Sequence, residues 1–225
     1  MTDSETEISR VARTKAEARA TYDRMGKWYD LVAGRFEEPF RTAALNTLKA
    51  TEGEIVLEIG FGTGQGMLAL AQAVGASGKV FGIDISPGMC EISREKLAQA
   101  GLSGRAVLTC GDASELPFKA GQFDAVLMSF TLELFDTPEI STVLGECRRI
   151  LRWGGRMGVL AMSKTRQGSR MAKLYEWTHV RFPAWIDCRP IFASKALEEA
   201  GFRILEVTEM TMWGLPVELV LANKE

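Results

Sequence analysis

The chain has 225 residues, 25% of them charged, and a formal net charge of −2, a balance that gives no electrostatic reason to expect a nucleic acid as partner. Its apolar runs fall far short of the roughly 20 residues that cross a bilayer, and the acidic, polar start MTDSETEIS carries no leader signature, so a cytoplasmic protein is expected, with peripheral membrane contact left open. The length suits one domain able to bury a sizeable core.

Residues 1–15 are charged and aperiodic, which predicts a flexible N-terminus, with order beginning near Lys15. From Ala18 to Val32, Tyr22, Met25, Trp28, Tyr29 and Val32 recur at three and four, the spacing of a helix with one buried face. A second helix, about Glu38–Leu48, completes an N-terminal helical cover over residues 16–50, and the single domain runs from 16 to 225. The rhythm then changes. Ile55–Ile59 reads as a buried strand, Gln65–Val74 as a helix and GKVFGID as a second strand. SPGMCEISREKLAQAG follows as a helix with Ser86 as cap, Pro87 at its first position and Gly101 as its stop. AVLTC and FDAVLMSF are strands three and four. Ile140, Val143, Leu144, Cys147, Ile150 and Leu151 stripe the next helix, and GRMGVLAM is strand five, launched by Gly154 and Gly155. Residues 166–192 read as a helical insertion. The helix FASKALEEAG then leads to FRILEVTEM and MWGLPVELVLA, two strands too close for a helical crossover. Alternating strands and helices of this length predict a parallel sheet with helices on both faces, and ligands at its carboxyl edge.

EIGFGTG, at 58–64, stands at that edge. Glycine costs backbone entropy, so three in alternation mark either a tight turn or a ligand pressed against bare backbone. Glu58, Asp84 and Asp112 lie at three successive strand ends, where carboxylates can accept ribose hydroxyls or an adenine amino group. A dinucleotide fingerprint requires a third glycine at 65, which is Gln65. The spacing is G-x-G-x-G instead, two residues after Glu58. Cys90, Cys110, Cys147 and Cys188 form no C-x-x-C pair and His179 is the only histidine, so neither a zinc site nor a disulfide framework is suggested.

Together YDRMGKWYD, VLEIGFGTG, GIDISPGM, GDASELPF, FDAVLMSFTLELF and LRWGGRM resemble class I S-adenosylmethionine-dependent methyltransferases, in particular the ubiquinone/menaquinone C-methyltransferase-like group. The resemblance covers roughly residues 20–222 and departs at Trp153, where the group usually has proline. It implies an α/β, Rossmann-like doubly wound sheet of seven strands, mainly parallel with one antiparallel strand. It also implies that S-adenosylmethionine is bound. Gly60, Gly62 and Gly64 would line its methionine part, near Glu58. Asp84 would bind the ribose, Met89 would pack on the adenine, and Asp112 would accept the adenine amino group beside the Ala113 backbone. Ser129 and Phe130 would flank cofactor and acceptor, with Tyr22 and Tyr29 closing the site.

The implied acceptor is a small molecule, with a quinone-like ring carbon suggested by the family alone. An amine, a natural-product hydroxyl or a phospholipid head group stays open, as does a cofactor-binding protein without turnover. Tyr175, His179 and Arg189 are further candidates on the acceptor side, and His179, Tyr175 and Glu133 are the nearest groups for a base. For each, ordinary packing or solvation is the commoner reading.

Overall fold

The computed structural model of the chain describes residues 14, 16–17, 19–21, 23, 35–164 and 189–225. The expected flexible start, the helix over Ala18–Val32 and the insertion over 166–192 therefore lie largely outside the described residues. Seven strands make one sheet: β1 (Ile55–Ile59), β2 (Lys79–Asp84), β3 (Ala106–Cys110), β4 (Phe123–Ser129), β5 (Leu151–Met162), β6 (Phe202–Met212) and β7 (Leu215–Lys224). Their order is β3-β2-β1-β4-β5-β7-β6, with β7 antiparallel to both its neighbours and the other pairs parallel. Strand order reverses between β1 and β4, the place where such sheets bind ligands.

Among the described residues these continuous helices accompany the sheet: α1 (Arg35–Leu48), α2 (Gln65–Ala73), α3 (Pro87–Gln99), α4 (Thr137–Ile150) and α5 (Ala193–Glu199). Successive residues of a strand point to opposite faces, so IVLEI feeds two cores at once. Leu57 and Ile59 pack with Val143 and Leu144 of α4 and Leu197 of α5, whereas Val56 packs with Leu48 of α1 and Met67 and Leu70 of α2. Burial on both faces is why these strands are continuously apolar. Among the described residues no helix is long and apolar enough to cross a membrane.

Several boundaries move. Ser86 accepts from the Met89 amide at 3.1 Å with Pro87 in the first turn of α3, as the sequence predicts. Helix α1 begins three residues before Glu38 and includes Pro39. Strand β5 begins at Leu151, four residues ahead of Gly155, and its pairing with β4 is irregular between Phe123 and Ala125. The segment MWG, expected to open the last strand, is not one. Met212 ends β6, and Trp213 and Gly214, with φ of 53° and 79°, make the two-residue turn whose backbone twist suits a hairpin.

One side chain fixes α1 to the sheet. Arg156 of β5 donates to the carbonyl of Leu48, to that of Lys49 at 2.9 Å, and to both carboxylate oxygens of Glu54 at 2.8 and 2.7 Å. It thereby satisfies carbonyls left over at the helix end. The guanidinium also holds the Glu54 carboxyl below its ordinary range. Arg156→Met is expected to lower stability at neutral pH by about 2 to 3 kcal/mol, as for lost charge-assisted bonds. A depressed carboxyl stabilises above its unfolded pKa and loses that effect as pH falls through its folded value. The gap between variant and wild type in urea denaturation should therefore narrow on acidification, and an unchanged gap would refute the pairing.

Candidate functional site

The carboxyl ends of β1, β2 and β4, the turn after β3 and the N-terminal half of α1 enclose one cavity. Its floor is the turn after β1. Gly60, Gly62 and Gly64 have φ of 70°, 51° and 84°, all in the left-handed region that disfavours side chains. Their surroundings differ. A Cβ on Gly60 would stand 2.3 Å from Thr131, and one on Gly64 would stand 2.2 Å from the Ser93 hydroxyl, whereas one on Gly62 would meet nothing within 4 Å among the described residues. Gly60 lets the turn after β1 press against the turn after β4, and Gly64 is the left-handed N-cap of α2. Gly62 alone presents bare backbone to open space. Gly60 and Gly62 line the cavity; Gly64, expected to do so, does not.

Asp84 ends β2 and organises the turn. Its Oδ2 accepts from the Gly62 amide and its Oδ1 from the Ser86 amide, each at 2.9 Å. Burial raises its pKa, opposed by these amides. Glu58 is 3% exposed, its carboxyl lies against Gly66, and its Oε2 has no hydrogen-bond partner. A Cβ at Gly66 would come within 2.0 Å of Glu58 Oε1, so this glycine too is dictated by the site.

The remaining expected residues converge as well. Met89 and Ala113, both buried, line the cavity together with Asp112, whose Oδ1 accepts from the Ser114 amide at 2.9 Å. Ser129 and Phe130 line it beyond β4. Phe130 has φ of 50°, a conformation costing a non-glycine residue about 1 to 2 kcal/mol. It is held there by its amide bond to the Leu160 carbonyl at 2.7 Å and by edge-on contact with Phe40 at 6.3 Å.

Two nominations are corrected. Arg189 is fully buried and is not among the residues that line the cavity. Its guanidinium donates to the Phe135 carbonyl and, at 3.1 Å, to the Thr137 hydroxyl, fastening the wall rather than facing a ligand. Glu133 is also absent from the lining; it is fully buried and accepts from the Met162 amide at 3.1 Å. Tyr22, Tyr29, Tyr175 and His179 lie outside the described residues.

Other cavity residues escaped the sequence reading. Glu37 and Arg41 enter from α1, and Thr131 from the turn after β4. Thr14 also lines the cavity, and it caps a helical turn through Glu17, whose carboxylate accepts from the Thr14 amide at 2.8 Å and hydroxyl at 2.9 Å. The T-x-x-E pattern was the available signal. Asp23 accepts from the Ser86 hydroxyl at 2.6 Å and the Gly88 amide at 3.0 Å, tying the N-terminal segment to the start of α3.

This fold and cavity define a class of protein, and comparison with known proteins agrees. Residues 56–155 match the family described as "Methyltransferase domain". Residues 56–155 thus carry the sequence of a methyltransferase domain. It is 33% identical over 155 residues to a demethylmenaquinone methyltransferase of Geobacillus kaustophilus, a match covering 69% of this chain and 64% of the relative. For the enzyme of the same name from Staphylococcus aureus the identity is 31% over 164 residues, covering 73% and 65%. The chain thus spans slightly under two thirds of the length of these relatives. Among solved structures it is similar in fold to a SAM-dependent methyltransferase from Aquifex aeolicus, with a TM-score of 0.65, 22% identity and coverage of 91% and 97%. It is also similar in fold to the 4+2 cyclase SpnF, with a TM-score of 0.76, 20% identity and coverage of 96% and 99%.

Two buried carboxyls carry a pH signature. Burial pushes both Glu58 and Glu133 up to about 8 from an ordinary value of 4.5. A carboxyl with a raised folded pKa binds protons the unfolded chain has already released, so stability falls as pH rises from about 4.5 to about 8 and levels off above. In Glu133→Gln the amide oxygen still accepts from Met162. Denaturation curves should show it matching wild type near pH 4 and exceeding it near pH 8, by roughly 1 to 3 kcal/mol. Equal stability at both pH values would mean that Glu133 is ionised in the native state.

Proposed function

We propose that this chain is an S-adenosylmethionine-dependent methyltransferase acting on a small molecule, with a quinone-like ring carbon as acceptor. The observation that carries the reading is the juxtaposition of open space at Gly62 with a buried, unpartnered oxygen of Glu58 on the same cavity. A bare turn admits a ligand against backbone, and an orphaned buried carboxyl calls for a donor. The cofactor's ammonium fits that role, and its charge would return Glu58 to the ionised form. Asp84 keeps lone-pair capacity for a ribose hydroxyl beyond the amides it already accepts. Met89 and Ala113 would bound the adenine and Asp112 would accept its amino group.

When bound, the cofactor supplies a methyl group already activated on a sulfonium. The protein's own work is then positioning, worth on the order of 7 to 11 kcal/mol in well-oriented reactions. Phe130, Leu134 and Phe135 give the cavity an apolar wall on which a flat ring can lie with water excluded. The names of the two relatives support a quinone-type acceptor. Tyr22, Tyr29, Tyr175 and His179 are proposed for the acceptor side on sequence alone, and no base is assigned.

Calorimetry with S-adenosylhomocysteine should show micromolar binding. Asp84→Ala is expected to weaken it by roughly 1.5 to 3 kcal/mol, since the ribose acceptor and the support of Gly62 go together. Gly62→Ala should also lose affinity, because its methyl enters the open space. Normal binding by either folded variant refutes that assignment. Methyl-labelled cofactor offered with demethylated naphthoquinols, phenols, amines and lipids then tests the acceptor. Label on a naphthoquinol ring is the expected result. Label on nitrogen or oxygen instead overturns the carbon-acceptor reading, and binding without any transfer overturns the enzyme reading.

A further inference from the structure

Two thiols lie on neighbouring elements directly behind the cavity. Cys90 lies in the first turn of α3 and is 4% exposed, and Cys110 ends β3 and is exposed. Asp84 and Cys110 are register partners in the β2–β3 pair, which brings the end of β3 beside the start of α3. The Cys90 Sγ is 3.9 Å from the Thr109 carbonyl, and the Cys110 Sγ is 3.6 Å from the Ile85 carbonyl. The Cys90 sulfur thus sits beside the peptide unit that joins Thr109 to Cys110. Each has a neighbour on the cavity: Met89 precedes Cys90, and Gly111 and Asp112 follow Cys110.

From this geometry we propose that Cys90 and Cys110 form a reversible disulfide, and that closing it narrows the cavity between Met89 and Ala113 and expels the adenosyl ligand. The oxidant is a peroxide. The exposed Cys110 thiolate attacks one peroxide oxygen; an S–O bond forms, the O–O bond breaks, and hydroxide leaves. The sulfur of Cys90 then attacks that of Cys110, an S–S bond forms, the S–O bond breaks, and the second hydroxide departs. The two thiol protons end on the two hydroxides, so two thiols and one peroxide give one disulfide and two waters. Burial first, and the neighbouring Cys110 second, push the Cys90 thiol up to about 12. Cys90 is therefore the second thiol to react and Cys110, accessible to solvent, the first. A disulfide needs its sulfurs at about 2.05 Å and its β-carbons at about 3.8 Å, closer than two free thiols stand. In the proposed closure the first turn of α3 and the end of β3 are drawn together, Met89 moving with the one as Gly111 and Asp112 move with the other.

The effect on the ligand rests on the preceding functional reading; formation of the bond does not. The test uses the full chain carrying Cys188→Ser, with Cys147 left in place because it is fully buried. Peroxide in small excess should remove two hydrogens from the intact mass, and peptide mapping should join Cys90 to Cys110. Affinity for S-adenosylhomocysteine should drop by about tenfold or more and return on reduction by a phosphine. By linkage, S-adenosylhomocysteine should disfavour the disulfide by the same factor in a thiol–disulfide buffer. Cys110→Ser should keep its affinity under peroxide. Oxidation of Cys110 to a sulfinic acid without the cross-link overturns the proposal, as does a cross-linked protein with unchanged affinity or without its far-ultraviolet dichroism. A reduced protein that never binds S-adenosylhomocysteine refutes the functional reading instead, while the mapped bond still decides whether the disulfide forms.

Discussion

The site depends on one carboxylate that is spent largely on backbone. Asp84 takes an amide from Gly62 on one oxygen and from Ser86 on the other, each at 2.9 Å, and so joins the turn after β1 to the turn that starts α3. Those turns belong to adjacent parallel strands, and the Gly60 amide bonds to the Ile83 carbonyl at 2.8 Å just below. Fixed amide dipoles hold a buried negative charge with less ordering cost than two flexible side chains would need. An alanine at 84 would remove a local scaffold as well as a ligand contact, which is why the glycine turn and the acidic strand end recur together in a single sequence pattern.

Beyond β4 the same logic uses side chains that are spent on the frame of the cavity. Thr131 fills the place a side chain on Gly60 would claim, and its hydroxyl donates to the Ser129 carbonyl at 2.9 Å. Glu133 grips the end of β5 through the Met162 amide, and Arg189 grips the next turn through Phe135 and Thr137. Phe130 is thereby held in a conformation it would otherwise avoid. Strain persists only where surrounding contacts over-determine it. Buried ionisable groups are costly in a core, and here both stand one layer behind the wall that a ligand would touch.

Much of this was legible from spacing. Strands β1, β2 and β4 were recognisable because burial on both faces makes their runs apolar, and the start of α3 because serine and proline stand where capping chemistry wants them. Glu58, Gly60, Gly62, Asp84, Met89, Asp112, Ala113, Ser129 and Phe130 all reach the cavity, since residues at strand ends occupy one edge of a parallel sheet. The turn at Trp213 was missed because tryptophan is a poor marker of positive φ, and the early start of β5 because an irregular pairing has no periodic signature. Gly64 shows the limit of a motif: alternation does not tell a glycine that faces a ligand from one that faces Ser93. Arg189 and Glu133 were misjudged for a related reason. A charged residue near a site reads as a contact, and only the fold reveals that its partners are the carbonyls and amides of the site's own frame.

The segment between β5 and α5 is closed at its base. Ser163 and Ile191 form a parallel bridge, the Lys164 amide donates to the Ile191 carbonyl at 2.9 Å, and the Ile191 amide donates to the Met162 carbonyl at 2.9 Å. Once the two ends are fastened, doubling the length of chain between them adds only about 0.6 kcal/mol of closure entropy. Evolution can therefore rewrite that stretch, in length and in composition, at almost no cost to the sheet or to the cavity floor. The bridge between Ser163 and Ile191 thus makes the sheet indifferent to what the intervening chain contains, as a clasp is to the length of its strap.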